Sequence, residues 1–320
     1  MNILAEHITD RRNLRKKISF WRVVTFIVLV TSLLVIGVFI RKDSVSGKQI
    51  ARIPITGLIV SDQSFLDMIQ KIEDNKLVEG VVLSIDSPGG TTAGSEDLFL
   101  ALRRLSGKKP MVAFINGTGA SGSYIAAMSA DHIVARETAI VGSIGVIIQY
   151  PNIAKLLNTV GVDMESVKSA PLKAEPSGVA PTPPEAREAL QNLIDDSFAW
   201  FKSLVSERRQ LSDKEVAHVS DGRVFSGRQG LKLKLVDSLG NEKTAIQWLE
   251  DNKNVKKNLP VKEWKPDKNL EKWQALGFAS KLVRMMGWET LAHTLDQVNA
   301  TTDISRLDGI LAVWHPTFTQ

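Results

Sequence analysis

The sequence contains no cysteine and only five histidines among its 320 residues. The absence of cysteine excludes disulfide bonds, thiolate nucleophiles and every cysteine-ligated metal site. No histidine belongs to an H-E-x-x-H or similar pair, so the sequence offers no pattern for a histidine-bound metal. We therefore expect an activity that needs neither a metal nor a cofactor.

The charge of the chain is modestly basic and unevenly distributed. Hydrophobic residues make up 43% and charged residues 23%, which is ordinary for a folded protein. The formal net charge is +5. Basic residues crowd the N-terminal segment 1–22: Arg11, Arg12, Arg15, Lys16, Lys17 and Arg22. Such a cluster could bind nucleic acid, but the apolar segment that follows it favours a membrane and no nucleic-acid partner.

Val23–Ile40 is an uncharged apolar run, and a short linker at residues 41–49 follows it. As a helix the run would be roughly 27 Å long, close to the hydrocarbon thickness of a bilayer. A buried core helix would show a polar stripe, which this run lacks. A cleaved signal peptide would have a shorter apolar region and small residues after it, and Val45–Gly47 is a poor cleavage site. We predict an uncleaved transmembrane anchor at residues 23–40.

Apolar runs alternate with amphipathic segments along the next part of the chain. Gly80–Ile85, Pro110–Ile115 and Ile140–Ile148 have the composition of strands, and Gln63–Asn75 has helical spacing. Pro54 suggests an edge position in the first strand. The alternation predicts an α/β fold of βα units around a parallel sheet that is covered on both faces.

Ser121 lies in a stretch of small residues directly before an apolar run, "GTGASGSYIAAMSADHIVA". Glycines let a substrate backbone approach closely, and a serine at a helix start lies near unpaired N–H groups that stabilise negative charge. The alternative is that Ser121 only caps the helix, which is a common role for serine. From the local sequence alone, the cap is the simpler interpretation.

Three arrangements could activate a serine hydroxyl. The G-x-S-x-G elbow fails because Gly122 comes one place too early. A Ser-His-Asp arrangement with Asp131 and His132 fails because neighbouring strand residues point to opposite faces. A Ser-Lys pair remains, and it needs a lysine that burial keeps neutral.

A second loop supports catalysis. The stretch "DSPGG", Asp86–Gly90, follows a buried strand, and by composition the loop extends to Ser95. Its two glycines, Gly89 and Gly90, can turn an amide inward and form an oxyanion hole. The alternative is an ordinary β-to-α turn, because Asp, Ser, Pro and Gly all favour turns.

Five motifs occur in order along the chain: "IDSPGG", "NGTGASGSYIAAMSADHIV", "TAIVGSIGVI", "ESVKSAPLKAEPS" and "DGRVFSGRQGLKLKLVDSLG". Together they resemble the signal peptide peptidase A family of membrane-anchored Ser-Lys peptidases, in its short single-unit form. The resemblance implies a Clp-protease/crotonase-like fold of stacked ββα units for a peptidase domain at residues 50–251. Residues 252–320 are then a C-terminal extension of unknown role.

The resemblance also implies the site residues. The family's nucleophile falls on Ser121 and its general-base lysine on Lys173, and the alternative lysine, Lys168, looks like a strand residue. Leu172 departs from the tyrosine that commonly precedes the base. Ser143 corresponds to a serine that orients the lysine. The oxyanion donors fall on the amides of Gly89 or Gly90, with Gly122 as a second donor.

The implied activity is that of a serine endopeptidase that degrades cleaved signal peptides or other extended hydrophobic segments near the membrane. The resemblance further implies a ring-like homo-oligomer in which neighbouring protomers contribute Ser121 and Lys173. Two alternatives remain. One is a crotonase-type acyl-CoA enzyme, and the other is a catalytically idle scaffold that binds hydrophobic peptides.

The first prediction concerns topology. Because basic residues cluster before Val23, residues 1–20 should be cytoplasmic and residues 50–320 extracytoplasmic, in a single-pass protein of a bacterial inner membrane with a periplasmic domain. Protease added to intact spheroplasts should therefore degrade the large domain. Protection of that domain until the cells are lysed would show the opposite orientation.

Overall fold

The structure is a computed structural model that describes residues 20–22, 24–26, 47–266 and 311–313. The chain divides into two units, Met1–Gly47 and Lys48–Gln320. In the first unit, residues 20–22 and 24–26 are helical. The anchor predicted at residues 23–40 lies outside the described residues except for positions 24–26. Within the parts of the chain that are described, no helix is long and apolar enough to cross a membrane.

The described strands of the second unit belong to one sheet. They are β1 (Gln49–Ile59), β2 (Val78–Thr91), β3 (Met111–Ala120), β4 (His132–Ala135), β5 (Ile140–Gly142), β6 (Val224–Ser226), β7 (Ser238–Leu239), β8 (Val261–Glu263) and β9 (Leu311–Val313). The helices are α1 (Gln63–Asp74), α2 (Thr92–Ser106), α3 (Gly122–Ala127), α4 (Ala154–Thr159), α5 (Pro184–Arg209), α6 (Asp213–Val219), α7 (Gly227–Lys232) and α8 (Glu242–Asn252).

The centre of the sheet is parallel. Its main path runs β6-β5-β3-β2-β1-β8, and the pairs among β5, β3, β2, β1 and β8 are parallel. The long strand β3 has two neighbours on the same side, because β4 pairs with its first half and β5 with its last three residues. The short strand β9 pairs antiparallel with the end of β2. The α/β fold with a parallel central sheet is thus confirmed.

Both faces of the sheet are covered. Alternate residues of β2 point to opposite faces, so that Leu83 joins the core on one side and Val82 the core on the other. The larger core lies under α1, α2, α3 and α5, and the smaller core lies under α8 through Ala245 and Leu249. Because both faces of the sheet are buried, the sequences of the central strands are nearly continuous apolar runs.

Two local predictions were wrong. The stretch predicted as a loop after Ile85 continues as strand to Thr91, and α2 begins at the next residue, Thr92. Gly90 makes this possible, since a Cβ there would lie 1.8 Å from the carbonyl oxygen of Ile59 on the paired strand. The strand predicted at Ile140–Ile148 ends at Gly142, because this residue and the next have positive φ angles of 89° and 50°.

The edge position suggested by Pro54 is consistent with the pairing of β1. Pro54 pairs with Ser84 of β2 on one side, whereas the pairing with β8 ends at Arg52. Beyond Arg52 the second side of β1 has no partner strand among the described residues. A proline, which lacks an N–H donor, is tolerated at such a place.

The second prediction concerns the contact between α1 and α2. The side chain of Glu73 is only 1% exposed and forms ion pairs with Arg104, at 3.0 Å, and with Lys108. Hydrogen bonds from Lys108 and Arg104 hold the pKa of Glu73 below its usual value despite its burial. Glu73→Gln should therefore lower the free energy of unfolding at pH 7 by about 1 kcal/mol, measured by urea denaturation.

The pH dependence gives that prediction its control. Because the folded-state pKa of Glu73 is lowered, the ion pairs stabilise the fold above about pH 4.5, and this contribution is lost as the pH falls through the folded-state pKa. The difference in the free energy of unfolding between wild type and Glu73→Gln should therefore shrink over the same pH range. Glu137→Gln, which removes the exposed ion pair with Arg228, should have almost no effect. Equal losses of unfolding free energy in Glu73→Gln and Glu137→Gln would show that the buried ion pairs of Glu73 do not stabilise the fold specifically.

Candidate active site

Ser121 follows β3 and occupies the N-cap position of α3, but its side chain does not cap the helix. The residue is 1% exposed, and its Oγ has no hydrogen-bond partner. Its backbone is fully engaged: the N–H donates to the Gly142 carbonyl at 2.8 Å, and its carbonyl accepts from Tyr124 at 2.9 Å. The cap interpretation is therefore right about the position and wrong about the hydrogen bond. The hydroxyl is left free for chemistry.

The backbone of Ser121 is in a conformation that glycine usually adopts, with φ 55° and ψ −122°. Residues held in such regions cost of the order of 1–3 kcal/mol and persist only where the surroundings enforce them. The paired strands supply that restraint on one side. On the other side, the buried Tyr124 anchors α3 by donating its phenol to the Leu235 carbonyl at 2.7 Å. Burial raises the pKa of Tyr124, so that the phenol stays neutral and keeps its proton.

Ser143 lies beside the turn at Ser121. Ala120 pairs with Gly142 in the β3–β5 ladder, so that Ser121 and Ser143 are the next residues of two adjacent strands. Ser143 is 8% exposed, and its N–H donates to the Arg223 carbonyl at 2.9 Å. The structure thus brings together two serines that the resemblance assigns to one site.

The predicted oxyanion donors meet at the same edge of the sheet. Gly89 and Gly90 lie near the end of β2, and Gly122 is the first residue of α3 after β3. The amide of Gly89 already donates to Ser87 Oγ at 3.1 Å, with φ at 104°. An amide with an acceptor inside the protein is less suited to an incoming oxyanion. Gly90 is itself paired with Ile59 of β1 and Ala312 of β9, so the choice among the three amides stays a prediction.

Lys173 lies in the segment between α4 and α5, and its side chain is exposed. Since Ser121 Oγ has no hydrogen-bond partner, the single chain does not bring the two groups of the predicted dyad into contact. Lys168 differs, because it is part-buried and forms an ion pair with Glu175, whose pKa it lowers. The Lys168 amine is therefore already engaged by a carboxylate. The roles of Lys173 and Ser143 stay predictions.

Two further serines in the site were missed from the sequence. Ser123, buried at 0% exposure, donates its hydroxyl to the carbonyl of Ser87 at 2.6 Å. The two residues are 36 positions apart. Only the last serine of "GASGS" hinted at a further polar group in the turn, and nothing in the sequence indicated its partner.

A grouping that resembles a second Ser-His-Asp site lies elsewhere. His132 Nε2 is 2.9 Å from Ser238 Oγ, but its Nδ1 is 3.8 Å from Asp237, too far for a hydrogen bond. Burial lowers the pKa of His132, which also stacks on Trp248. His132 pairs with Val112 near the start of β3, roughly 26 Å along the strand from its end. This grouping therefore stabilises the fold and does not belong to the Ser121 site.

Comparisons with known proteins agree with a peptidase. Residues 103–256 match the peptidase family S49. A protein of Synechocystis sp., named as a candidate protease, is 41% identical over 203 residues, which cover 63% of this chain and 73% of that protein. A protein of Enterococcus faecium, named as a candidate signal peptide peptidase SppA, is 29% identical over 276 residues, covering 80% of this chain and 77% of that protein.

These similarities define the class of the protein as a peptidase, and they set aside the acyl-CoA enzyme and the idle scaffold. The chain belongs to peptidase family S49. Among solved structures, a ClpP1 variant from Listeria monocytogenes is similar with a TM-score of 0.40 and 13% identity, covering 61% of this chain and 94% of that chain. Within the described residues, no group of His, Asp and Glu side chains could hold a metal ion.

The third prediction follows from the strained turn. Ser121→Gly should relieve the positive φ, whereas Ser121→Ala removes the same hydroxyl and keeps the strained Cβ. After the larger backbone entropy of glycine in the unfolded chain is subtracted, the glycine variant should be more stable than the alanine variant by about 1 kcal/mol. Thermal unfolding of the two variants measures this difference. A glycine variant no more stable than the alanine variant would show that the turn is not strained.

Proposed function

We propose that the protein is a membrane-anchored serine endopeptidase with a Ser-Lys dyad. The observation that carries the proposal is the buried, unpartnered hydroxyl of Ser121 in a strained turn. Buried polar side chains are normally hydrogen-bonded, and exceptions are frequent at functional sites. A free hydroxyl at the carboxyl edge of a parallel sheet, in a chain of a peptidase family, is suited to nucleophilic attack.

The reaction would proceed in two halves. Neutral Lys173 accepts the proton of Ser121 while Oγ attacks the peptide carbonyl, and the amides of Gly90 and Gly122 bind the oxyanion. The lysine then passes the proton to the leaving amine, and an acyl-enzyme remains. In the second half Lys173 takes a proton from water as this water attacks the ester. It then gives the proton to Ser121 Oγ when the ester bond breaks and the new carboxyl end is released. Ser143 orients the amine of Lys173.

The base would come from a neighbouring copy of the chain. Lys173 is exposed in the single chain, although a lysine base has to be desolvated to be neutral. The segment that carries it also exposes large apolar side chains: Leu156, Val160, Val162, Met164, Val167 and Leu172. Exposed apolar patches of this kind mark protein interfaces. A second copy packed on this segment would bury Lys173 and bring it to the partner's Ser121, in a ring-like homo-oligomer.

The substrate would bind as an extended strand. The edge of β2 at Gly89–Thr91 already accepts an extended segment, because it pairs antiparallel with Leu311–Val313 of the same chain, and a substrate would take the place of this strand. Strand addition supplies main-chain hydrogen bonds without selecting a sequence. Leu58 and Ile59, in register with Gly89 and Gly90, line a largely apolar cavity of about 360 Å³. These features favour extended hydrophobic peptides, including remnants of cleaved signal peptides.

The membrane assignment rests on the sequence. The uncharged run at residues 23–40 and the basic residues before it would place the peptidase domain on the extracytoplasmic face. Anchoring there would bring the site close to hydrophobic peptides that leave the bilayer. The domain boundaries at residues 50–251 and 252–320 belong to the same proposal.

The fourth prediction separates the two lysines. Lys173→Ala should lower peptide hydrolysis by about 10²–10⁴-fold, because a catalytic base is lost, and Ser121→Ala should do the same or more. Lys168→Ala is the matched control and should cost far less, since that lysine is paired with Glu175. Ser143→Ala should fall between. A dead Lys168→Ala beside an active Lys173→Ala would assign the base to Lys168, and activity in Ser121→Ala would refute the mechanism.

Mixing inactive variants tests whether the dyad spans two copies. Ser121→Ala and Lys173→Ala subunits, unfolded together and reassembled, should regain about a quarter of wild-type activity, because about a quarter of random contacts join an intact Ser121 to an intact Lys173. Each variant reassembled alone should stay inactive. Light scattering on residues 46–320 should show several subunits. No recovery in mixed oligomers would place both groups in one chain.

A further inference from the structure

The backbone ladder between β2 and β3 ends before it reaches the catalytic groups. The last pair is Ser87 with Gly119, after an irregularity in the register. Ser121 lies two residues beyond this pair on one strand, and the predicted oxyanion glycine Gly90 lies three residues beyond it on the other. Gly90 is held by its pairing with Ile59 of β1 and Ala312 of β9, but direct pairing between β2 and β3 does not set its spacing from Ser121.

A serine pair bridges this gap. Ser123, one turn into the nucleophile segment, donates its hydroxyl to the Ser87 carbonyl at 2.6 Å. The same oxygen is 2.8 Å from the Ala120 carbonyl, an ordinary contact three residues back. A hydroxyl has one proton to donate, and the shorter contact is the one to Ser87. The bond to the other strand is therefore the principal one.

Ser87 passes this restraint on to the glycines. Its own hydroxyl donates to the Gly57 carbonyl at 2.6 Å, where the β1–β2 register shifts, and accepts from the Gly89 amide at 3.1 Å. Ser87 is 0% exposed, so these bonds have no competition from solvent. A continuous chain of hydrogen bonds thus runs from the nucleophile turn through Ser87 to the residue next to Gly90.

We propose that Ser123 is a positioning residue that sets the spacing between the nucleophile and the oxyanion loop. The inference rests on the proposed function, in which Ser121 attacks and Gly90 and Gly122 bind the oxyanion. The two amides lie on different segments. The Thr118 amide donates to Asp86 Oδ1 before the last ladder pair, and the Ser123 hydroxyl joins the two segments beyond it. A loss of this link would shift the Gly90 amide relative to Ser121 and would weaken binding of the transition state more than binding of the substrate.

The test compares Ser123→Ala with a matched control. Ser129→Ala also removes a fully buried hydroxyl that contacts a carbonyl three residues back, that of Ala126, but Ser129 Oγ makes no cross-strand bond. Ser123→Ala should lower kcat by about 10- to 100-fold, as expected for misplaced catalytic groups, with KM within about twofold of wild type. Ser129→Ala should leave both constants near wild type.

A second measurement separates positioning from general damage. A peptide boronate forms a tetrahedral adduct with Ser121, so its affinity should fall in Ser123→Ala by the same factor as kcat, whereas affinity for the matching unreactive peptide should not change. Equal losses of both affinities would indicate general damage and overturn the inference. If Ser123→Ala does not fold, Ser123→Cys takes its place, because cysteine keeps a weaker hydrogen-bond donor. The affinities for the boronate and for the unreactive peptide are then measured on that variant.

The outcomes also distinguish this inference from the proposed function. Wild-type kcat in a folded Ser123→Ala, together with an inactive Ser121→Ala, would overturn the positioning role and leave the Ser121 mechanism intact. Activity in Ser121→Ala would overturn the mechanism, and the positioning role with it. Ser87→Ala should reproduce part of the kcat loss, because it removes the acceptor of the Gly89 amide. An unchanged kcat in Ser87→Ala would contradict the role given to the hydrogen bonds of Ser87.

Discussion

One backbone hydrogen bond, from the amide of Ser121 to the carbonyl of Gly142, extends the β3–β5 ladder one residue past the end of β3. Because the amide is held there, the chain has to turn at Ser121 with a positive φ. The next strand supports the turn in the same way, since Ser143 donates to Arg223 beside β6. The strained backbone at Ser121 is thus supported by hydrogen bonds that involve three neighbouring strands.

The sheet could be predicted because its determinants are local. β-branched apolar runs separated by helical spacing predict buried parallel strands, and the doubly covered sheet is what the structure shows. The failures occurred where contacts between distant residues decide the conformation. Composition made Gly89 and Gly90 look like a loop, but the carbonyl of Ile59 approaches Gly90 closely and keeps it in the strand. No local pattern contains that contact.

The location of the candidate site could also be predicted from local sequence, but the roles of its residues could not. Small residues around Ser121 and the paired glycines indicated a place where backbone and substrate approach closely, and the family resemblance assigned the roles. Composition could not separate Lys168 from Lys173. The structure adds that Lys168 is engaged by an ion pair to Glu175, and the choice of Lys173 as the base stays a prediction. The bond between Ser123 and Ser87 was not predictable, because it joins residues that only the parallel pairing of β2 and β3 brings together.

On the proposed mechanism, Ser121 is a nucleophile that has no base within hydrogen-bond distance among the described residues of its own chain, and Lys173 is exposed. If Lys173 were buried within its own chain, the unassembled protein would already be an active peptidase on this mechanism. On the proposed mechanism the lysine loses water only when another copy covers the apolar segment around it, so that assembly and activation are one event. The exposed apolar side chains then have two consequences, since the contact that stabilises the oligomer also creates the neutral base. Catalysis would be confined to the assembled form, in which substrates have to enter as extended chains.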